Sequence, residues 1–383
     1  MKLLWKLKAK SELIKAFNSG ELYLSYKTDN KKYLVLPKIR SISLTDGRLQ
    51  YVFTIPTGLD PKEFDKKLWV FEQVFGERIE LNRRGKRFTL DIYSEVSTGE
   101  LTYNYDEFSY LLKKHELPII SGVDQRGGYV VYDMVTNPHL LIAGETGSGK
   151  STQVRSILST LIQTFSPDDL HLYLADMKRS EFHLFRRVEH VKRLDVKPAE
   201  LEVSLEYLRA EAERRGDLLD KHECTHIKDV PNKPPYIVLC IDEVALLKKE
   251  KKMMNIIEEL SAIGRALGIF LILSMQRPDA QVLDGKLKVN LTVRMGFRCS
   301  DLINSRIIGT PGSEKIKRSE AGLMVMKSED LQYVRAPYLK DDKAKGILEP
   351  YKVLKRHTEP PKAIIEAEWE EVSENIFNVL GDE

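Results

Sequence analysis

The segment GETGSGKS, Gly144 to Ser151, constrains this chain more than any other feature. It fits G-x-x-x-x-G-K-[ST] residue for residue, and its surroundings are those the motif needs. The apolar run HLLIA precedes it, and Val154, Ile157, Leu158, Leu161 and Ile162 follow at helical spacing until Pro167. Strand, glycine loop and helix in that order predict an α/β fold around a phosphate-binding turn. Gly144, Glu145, Thr146, Gly147, Ser148 and Gly149 supply main-chain N–H groups that can wrap a phosphate, with the helix N-terminus behind them. Lys150 can reach the β- and γ-phosphates, and the Ser151 hydroxyl, followed by Thr152, can ligate Mg²⁺.

A nucleoside-triphosphate site also needs an acidic strand end, and YIVLCIDE (236–243) provides one. Asp242 is placed to hold Mg²⁺, and Glu243 beside it to polarise an attacking water. Asn232-Lys233 runs into Pro234-Pro235, so no guanine-reading element is formed and ATP is expected rather than GTP. HLYLADM (171–177), IFLILSMQ (269–276), TVRMGFRC (292–299) and GLMVMK (322–327) read as further strands, with helices between several of them. Near-continuous apolar runs of this kind suit a mostly parallel, helix-covered sheet.

Ahead of this region, residues 1–117 read as a small α/β domain. ELYLSYKT, KKYLVLPKI and the two sides of Asp46-Gly47 have strand patterns, the Asp-Gly pair marking a hairpin. Asp60, Pro61 and Glu63 predict a helix start, with Phe64, Leu68, Phe71, Val74 and Phe75 as its apolar face. RIELNRRGKRFTLDI predicts another hairpin with a basic tip. Residues 118–343 form the expected P-loop domain, and 344–383 an acidic tail with a helix around 364–380.

Composition narrows the function classes. With 60 Lys and Arg against 57 Asp and Glu, the net charge of +3 excludes a strongly basic nucleic-acid coat protein. Three cysteines do not make a disulfide scaffold, and no run nears the roughly 18 apolar residues that span a bilayer. The basic opening MKLLWKLKAK lacks the apolar region of a secretory signal, so a cytoplasmic protein without a membrane span is expected. His222, Cys224 and His226 would share a face in an extended segment, but the spacing and lack of a fourth ligand disfavour zinc. Cys240, inside an apolar strand, reads as core.

Several segments, taken in order, resemble the FtsK/SpoIIIE branch of the HerA–FtsK ATPases. These are GVDQRGGYVVYDMVTNPHLLIAGETGSGKS, LADMKRSEF with Met177 where the family usually has Pro, EAERRGDLL, PPYIVLCIDEVALL, and the block from ALGIFLILSMQRP to NSRIIG. The resemblance implies a RecA-like motor domain, an ATP-hydrolysing enzyme and a ring, expected to be hexameric, that translocates double-stranded DNA. It implies that Gln276 senses the γ-phosphate and that Arg294, with Arg265 as rival, reaches a neighbouring subunit's ATP. Arg306 and Lys327 fall where the family has DNA-facing channel loops. The membrane helices and winged-helix module of some family members have no counterpart here. A plasmid, phage or other mobile element is therefore the expected setting, in DNA transfer or replication, with a relaxase or replication protein as further partner. The alternative is an ATP-switched scaffold that binds DNA-processing partners without processive movement.

Overall fold

The computed structural model describes residues 4–28, 31–45, 48–76, 79–93, 100–283 and 285–353. These divide into two compact units, one of residues up to Glu100 together with Asp124–Gly128, the other from Leu101 onward without that turn. The division at Glu100 falls earlier than the expected 117.

In the first unit, α1 (Leu4–Ser19) buries Ala9, Leu13, Ala16 and Phe17, an i, i+4, i+7, i+8 stripe masked in sequence by the lysines between. β1 (Leu24–Thr28) and β2 (Lys31–Val35) make an antiparallel ribbon. β3 (Lys38–Thr45), β4 (Arg48–Thr54), β5 (Ile79–Arg84) and β6 (Arg87–Tyr93) form an antiparallel sheet in the order β3-β4-β6-β5. The Asp46-Gly47 turn lies outside the described residues. The helix expected from Asp60 is two pieces, α2 (Lys62–Lys66) and α3 (Leu68–Phe75). Asp60 accepts from the Lys62 N–H at 2.9 Å, as a cap should. Lys67, at φ −106° and ψ 21°, breaks the helix, and Phe64 before the break and Phe71 after it are both buried in the core. There Phe17 meets Phe53 edge-on at 5.0 Å, Phe64 meets Phe88 at a tilt at 4.6 Å, and Phe53 stacks on Phe88 at 5.4 Å.

The second unit opens with α4 (Tyr105–Leu112) and the hairpin strands β7 (Pro118–Asp124) and β8 (Tyr129–Asp133). The phosphate-loop strand β9 (Leu140–Ala143) leads to α5 (Lys150–Thr164), then β10 (Leu170–Asp176), β11 (Val191–Asp195) and α6 (Pro198–His222). β12 (Tyr236–Asp242), α7 (Lys251–Leu267) and β13 (Ile269–Met275) follow, then α8 (Gly285–Asn290), β14 (Val293–Phe297) and α9 (Leu302–Ile308). β15 (Leu323–Lys327), β16 (Leu331–Arg335) and α10 (Asp341–Leu348) complete it. The ten strands form one sheet, β11-β10-β12-β13-β9-β14-β15-β16-β7-β8. Its first six are parallel, and β9 sits between β13 and β14. β9, β12 and β13 are buried along their whole length, the reason their sequences are unbroken apolar runs.

α10 buries Ala344 and Leu348, and Arg155 of α5 binds Asp341 at 2.6 Å, so ordered packing passes residue 344, where the tail was expected to begin. The expected helix over 364–380 lies outside the described residues. The His222–His226 segment is not extended: α6 runs through His222 and the chain turns at Glu223, φ 52°. The Cys224 thiol instead donates to the His222 carbonyl and the His226 ring accepts from the Lys228 N–H. Among the described residues no group of three or more His, Cys, Asp or Glu is placed to hold a metal, and no helix is long and apolar enough to cross a membrane.

Burial disfavours the charged form of four imidazoles of this unit. His139 and His171 are pushed down to about 4 by desolvation, and His190 and His226 are lowered for the same reason. An unfolded chain binds these protons near pH 6.5, so the stability they favour is complete above that value and is lost as pH falls toward 4. The denaturant midpoint of this unit should therefore be lower at pH 5 than at pH 7.

Candidate active site

The phosphate loop is shaped by contacts only glycine permits. At Gly149, φ is 110° and a Cβ would stand 2.8 Å from the Gly322 backbone; at Gly144 it would meet the Phe297 Cβ at 2.6 Å. The loop is thus clamped against the ends of β14 and β15. Gly322 N–H donates to the Ser148 carbonyl at 2.8 Å, and Glu145 N–H to that of Arg298 at 3.0 Å. Arg298 also pairs with the Glu145 side chain at 2.5 Å. The Ser148 hydroxyl is buried without a hydrogen-bond partner. An unmet donor inside a glycine cradle fits a phosphate oxygen.

Lys150 lies buried at the start of α5, its ammonium 3.1 Å from Asp242 Oδ1 and 2.8 Å from Ser274 Oγ. Ser274 also donates to Asp242 Oδ1 at 3.1 Å. Two buried charges satisfy one another here, and each is the type that a triphosphate or its Mg²⁺ would take in exchange. The donor set of Ser151 hydroxyl and Asp242 carboxylate fits Mg²⁺, which prefers few protein oxygens and keeps several waters. Sequence reading missed Ser274. Its signal was the only hydroxyl in the apolar run IFLILSM.

Glu243 adopts the left-handed conformation, φ 60° and ψ 57°, immediately after β12. A side chain in that region costs of order 1–3 kcal/mol and is held only by surrounding contacts. Gln276 N–H reaches both carboxylate oxygens, at 3.1 and 3.2 Å, and the Lys178 ammonium lies 2.7 Å from Oε2. Gln276 therefore meets Glu243 through its main chain. Ser151 donates to Glu181 at 2.6 Å. Lys178 and Glu181 both come from LADMKRSEF, a segment whose individual side chains received no role in the sequence reading.

The arginines occupy the other end of the sheet. β9 and β14 are parallel, and the phosphate loop follows the C-terminal end of β9. Arg294 sits near the start of β14 and donates to the carbonyls of Leu291 at 3.0 Å and Lys288 at 2.5 Å, both before the strand. Arg265, at the end of α7, donates to the Val135 carbonyl ahead of β9. Lys327 is paired in register with Arg294 across β14 and β15. Lys288 reaches the Arg306 carbonyl at 3.1 Å, and its ammonium is lowered by burial and by the neighbouring Arg294 and Lys327. Arg306 itself is exposed. Arg294, Lys327, Lys288 and Arg306 thus gather at one edge, with Arg265 at the same end of the sheet, Lys288 being the one sequence reading did not find.

The sequence model of the FtsK/SpoIIIE family matches residues 104–233, which include the phosphate loop. Over those residues the chain carries an FtsK/SpoIIIE domain. It is 38% identical over 216 residues to DNA translocase FtsK of Borreliella burgdorferi, and 36% over 214 residues to that of Treponema pallidum. Each match takes in 52% of this chain and 27% of the relative, so the chain spans about a quarter of the length of these curated relatives. Among solved structures it resembles the pCW3 conjugation coupling protein TcpA, in monomer form with ATPγS. The TM-score is 0.61 at 22% identity, over 90% of this chain and 100% of that one. The cytoplasmic domain of the Thermomonospora curvata Type VII secretion ATPase EccC gives a TM-score of 0.56 at 24% identity, over 64% of this chain and 32% of that one. These two likenesses are of fold. The FtsK/SpoIIIE match ends at residue 233, so Asp242, Glu243, Gln276 and the arginines rest on the geometry above.

Proposed function

We propose that this chain is an Mg·ATP-driven translocase of double-stranded DNA that works as a ring, expected to be hexameric, in the cytoplasm. Lys150 and the loop from Gly144 to Thr152 bind the phosphates, Ser151 and Asp242 hold the metal, and Glu243 orients and polarises the attacking water, with Gln276 beside it. When bound, Mg·ATP supplies the transferable phosphoryl group and the metal charge that neutralises it. The observation that carries the ring reading is the position of Arg294 and Arg265. Both lie where the strands begin, whereas the phosphate loop lies where β9 ends, so neither is presented to its own chain's ATP. A second copy is the partner they can serve, and a planar guanidinium there stabilises charge spread over the transferred group.

The same edge carries Arg306 and Lys327, which take the DNA phosphates in this reading. A few cations per subunit, repeated around a ring, make a positive channel in a particle whose chains are each only +3. The left-handed Glu243 favours turnover over a nucleotide-switched scaffold, since strain at a water-activating acid serves nothing in a protein that only binds. The setting is DNA transfer or replication for a plasmid, phage or other mobile element, with a relaxase or replication protein delivering the DNA.

The test is hydrolysis against protein concentration, with and without duplex DNA. An arginine in trans is worth about 10³–10⁵ in rate, so turnover per chain should rise steeply as the protein assembles, and further on duplex. Turnover per chain that is independent of concentration and indifferent to DNA overturns the motor.

A further inference from the structure

The acid facing Ser151 has so far no task. Ser151 Oγ lies 2.6 Å from Glu181 Oε1. An ionised carboxylate only accepts, so the serine is the donor, and its single proton is committed to Glu181. Both lone pairs of the serine oxygen are then left for another ligand. A hydroxyl free to rotate would present its proton to an arriving cation part of the time.

Glu181 is fixed from behind. The Asp176 carboxylate, buried at the end of β10, accepts from the main-chain N–H of Ser180, Glu181 and Phe182 at 3.1, 2.9 and 3.0 Å. Phe182 is buried and packs edge-on against Phe185, their centroids 6.3 Å apart. Asp176 is also in register with Asp242 on the neighbouring strand β12. The loop that carries Glu181 is therefore locked to the strand that carries the acid assigned to the metal.

We propose that Glu181 is a positioning residue for the nucleotide's Mg²⁺: it accepts the hydrogen bond of the Ser151 hydroxyl and so turns the serine oxygen's lone pairs toward the metal. It acts through Ser151 and does not itself contact the ion. The inference rests on the reading in which Ser151 and Asp242 hold Mg²⁺. Partners that orient a metal ligand in this way are worth about 10–100-fold in metal affinity.

The test uses the full chain and a fluorescent ATPγS analogue, with binding followed while Mg²⁺ is titrated and, separately, in EDTA. Glu181→Ala should raise the Mg²⁺ concentration needed for tight binding by about 10–100-fold and leave binding in EDTA unchanged. In a Ser151→Ala background the same change should add nothing, because its route to the metal is gone. A Glu181→Ala curve that overlays the wild type, a parallel loss in EDTA, or an undiminished effect in the Ser151→Ala background each overturns the inference. A wild type whose binding ignores Mg²⁺ overturns it too. Failure of the motor reading looks different: the wild type would bind the analogue with Mg²⁺ yet never respond to duplex DNA, and the role of Glu181 would stand.

Discussion

Glu243→Gln should stop turnover while leaving ATP bound. The amide is the same size, and its oxygen can still accept from the Gln276 N–H that now reaches both carboxylate oxygens at 3.1 and 3.2 Å. What is lost is a negative charge able to polarise water, an effect worth typically about 10²–10⁴ in rate. The Lys178 ammonium, 2.7 Å from Oε2, loses its ionic partner, but its side chain is about one-third exposed and can turn to solvent. Little stability should go with it. Single-turnover hydrolysis, read beside retention of labelled ATP, separates the two effects. Loss of turnover with ATP retained is the expected result, and turnover at the wild-type rate removes Glu243 from the mechanism.

The second large effect is on stability, and two adjacent arginines make the comparison internal. Arg214 and Arg215 both bind Glu211, each at 2.7 Å. The Arg214 side chain is 57% exposed, that of Arg215 only 1%. Arg215 also donates to the carbonyls of Leu267 and Pro235, both at 2.8 Å. It thereby closes the C-terminal end of α7 and ties down the approach to β12. Arg215→Met leaves a mostly buried carboxylate with one partner fewer and strands those carbonyls, a loss of about 3–5 kcal/mol. Arg214→Met removes a solvent-screened pair and should cost about 0–1 kcal/mol. Denaturant midpoints of the two variants test this. Equal shifts would mean that the buried guanidinium is not what secures this corner.

What could be read in the sequence was what short segments determine. The phosphate loop, the acidic strand and the strands around them announce themselves through local spacing and continuous apolar runs, and each stands where expected. α1 escaped because its buried stripe is diluted by lysines. The break at Lys67 escaped because the apolar periodicity runs straight across it, with Phe64 and Phe71 on one face either way. The site's inner contacts were illegible for a different reason. Ser274 meets Lys150 across 124 residues and Lys178 meets Glu243 across 65, so no window of sequence contains either pair. The strand order brings them together, and it is fixed by the whole sheet. Glu181 was visible as a residue, but its use was not, since that depends on which way one serine proton points.

β14 and β15 touch the phosphate loop at one end, through Phe297 against Gly144 and Gly322 beside Gly149, and at the other they carry Arg294 and Lys327. Phe297 and Arg294 are three residues apart on β14, about 10 Å of extended chain at roughly 3.3 Å per residue, and Gly322 and Lys327 are five apart, about 17 Å. The two strands are hydrogen-bonded to each other along this length, and β14 to β9 on its other side. Pairing on both sides leaves β14 little room to bend along this length. A shift of the loop when phosphate leaves would have a continuous hydrogen-bonded path to the cations at the far edge.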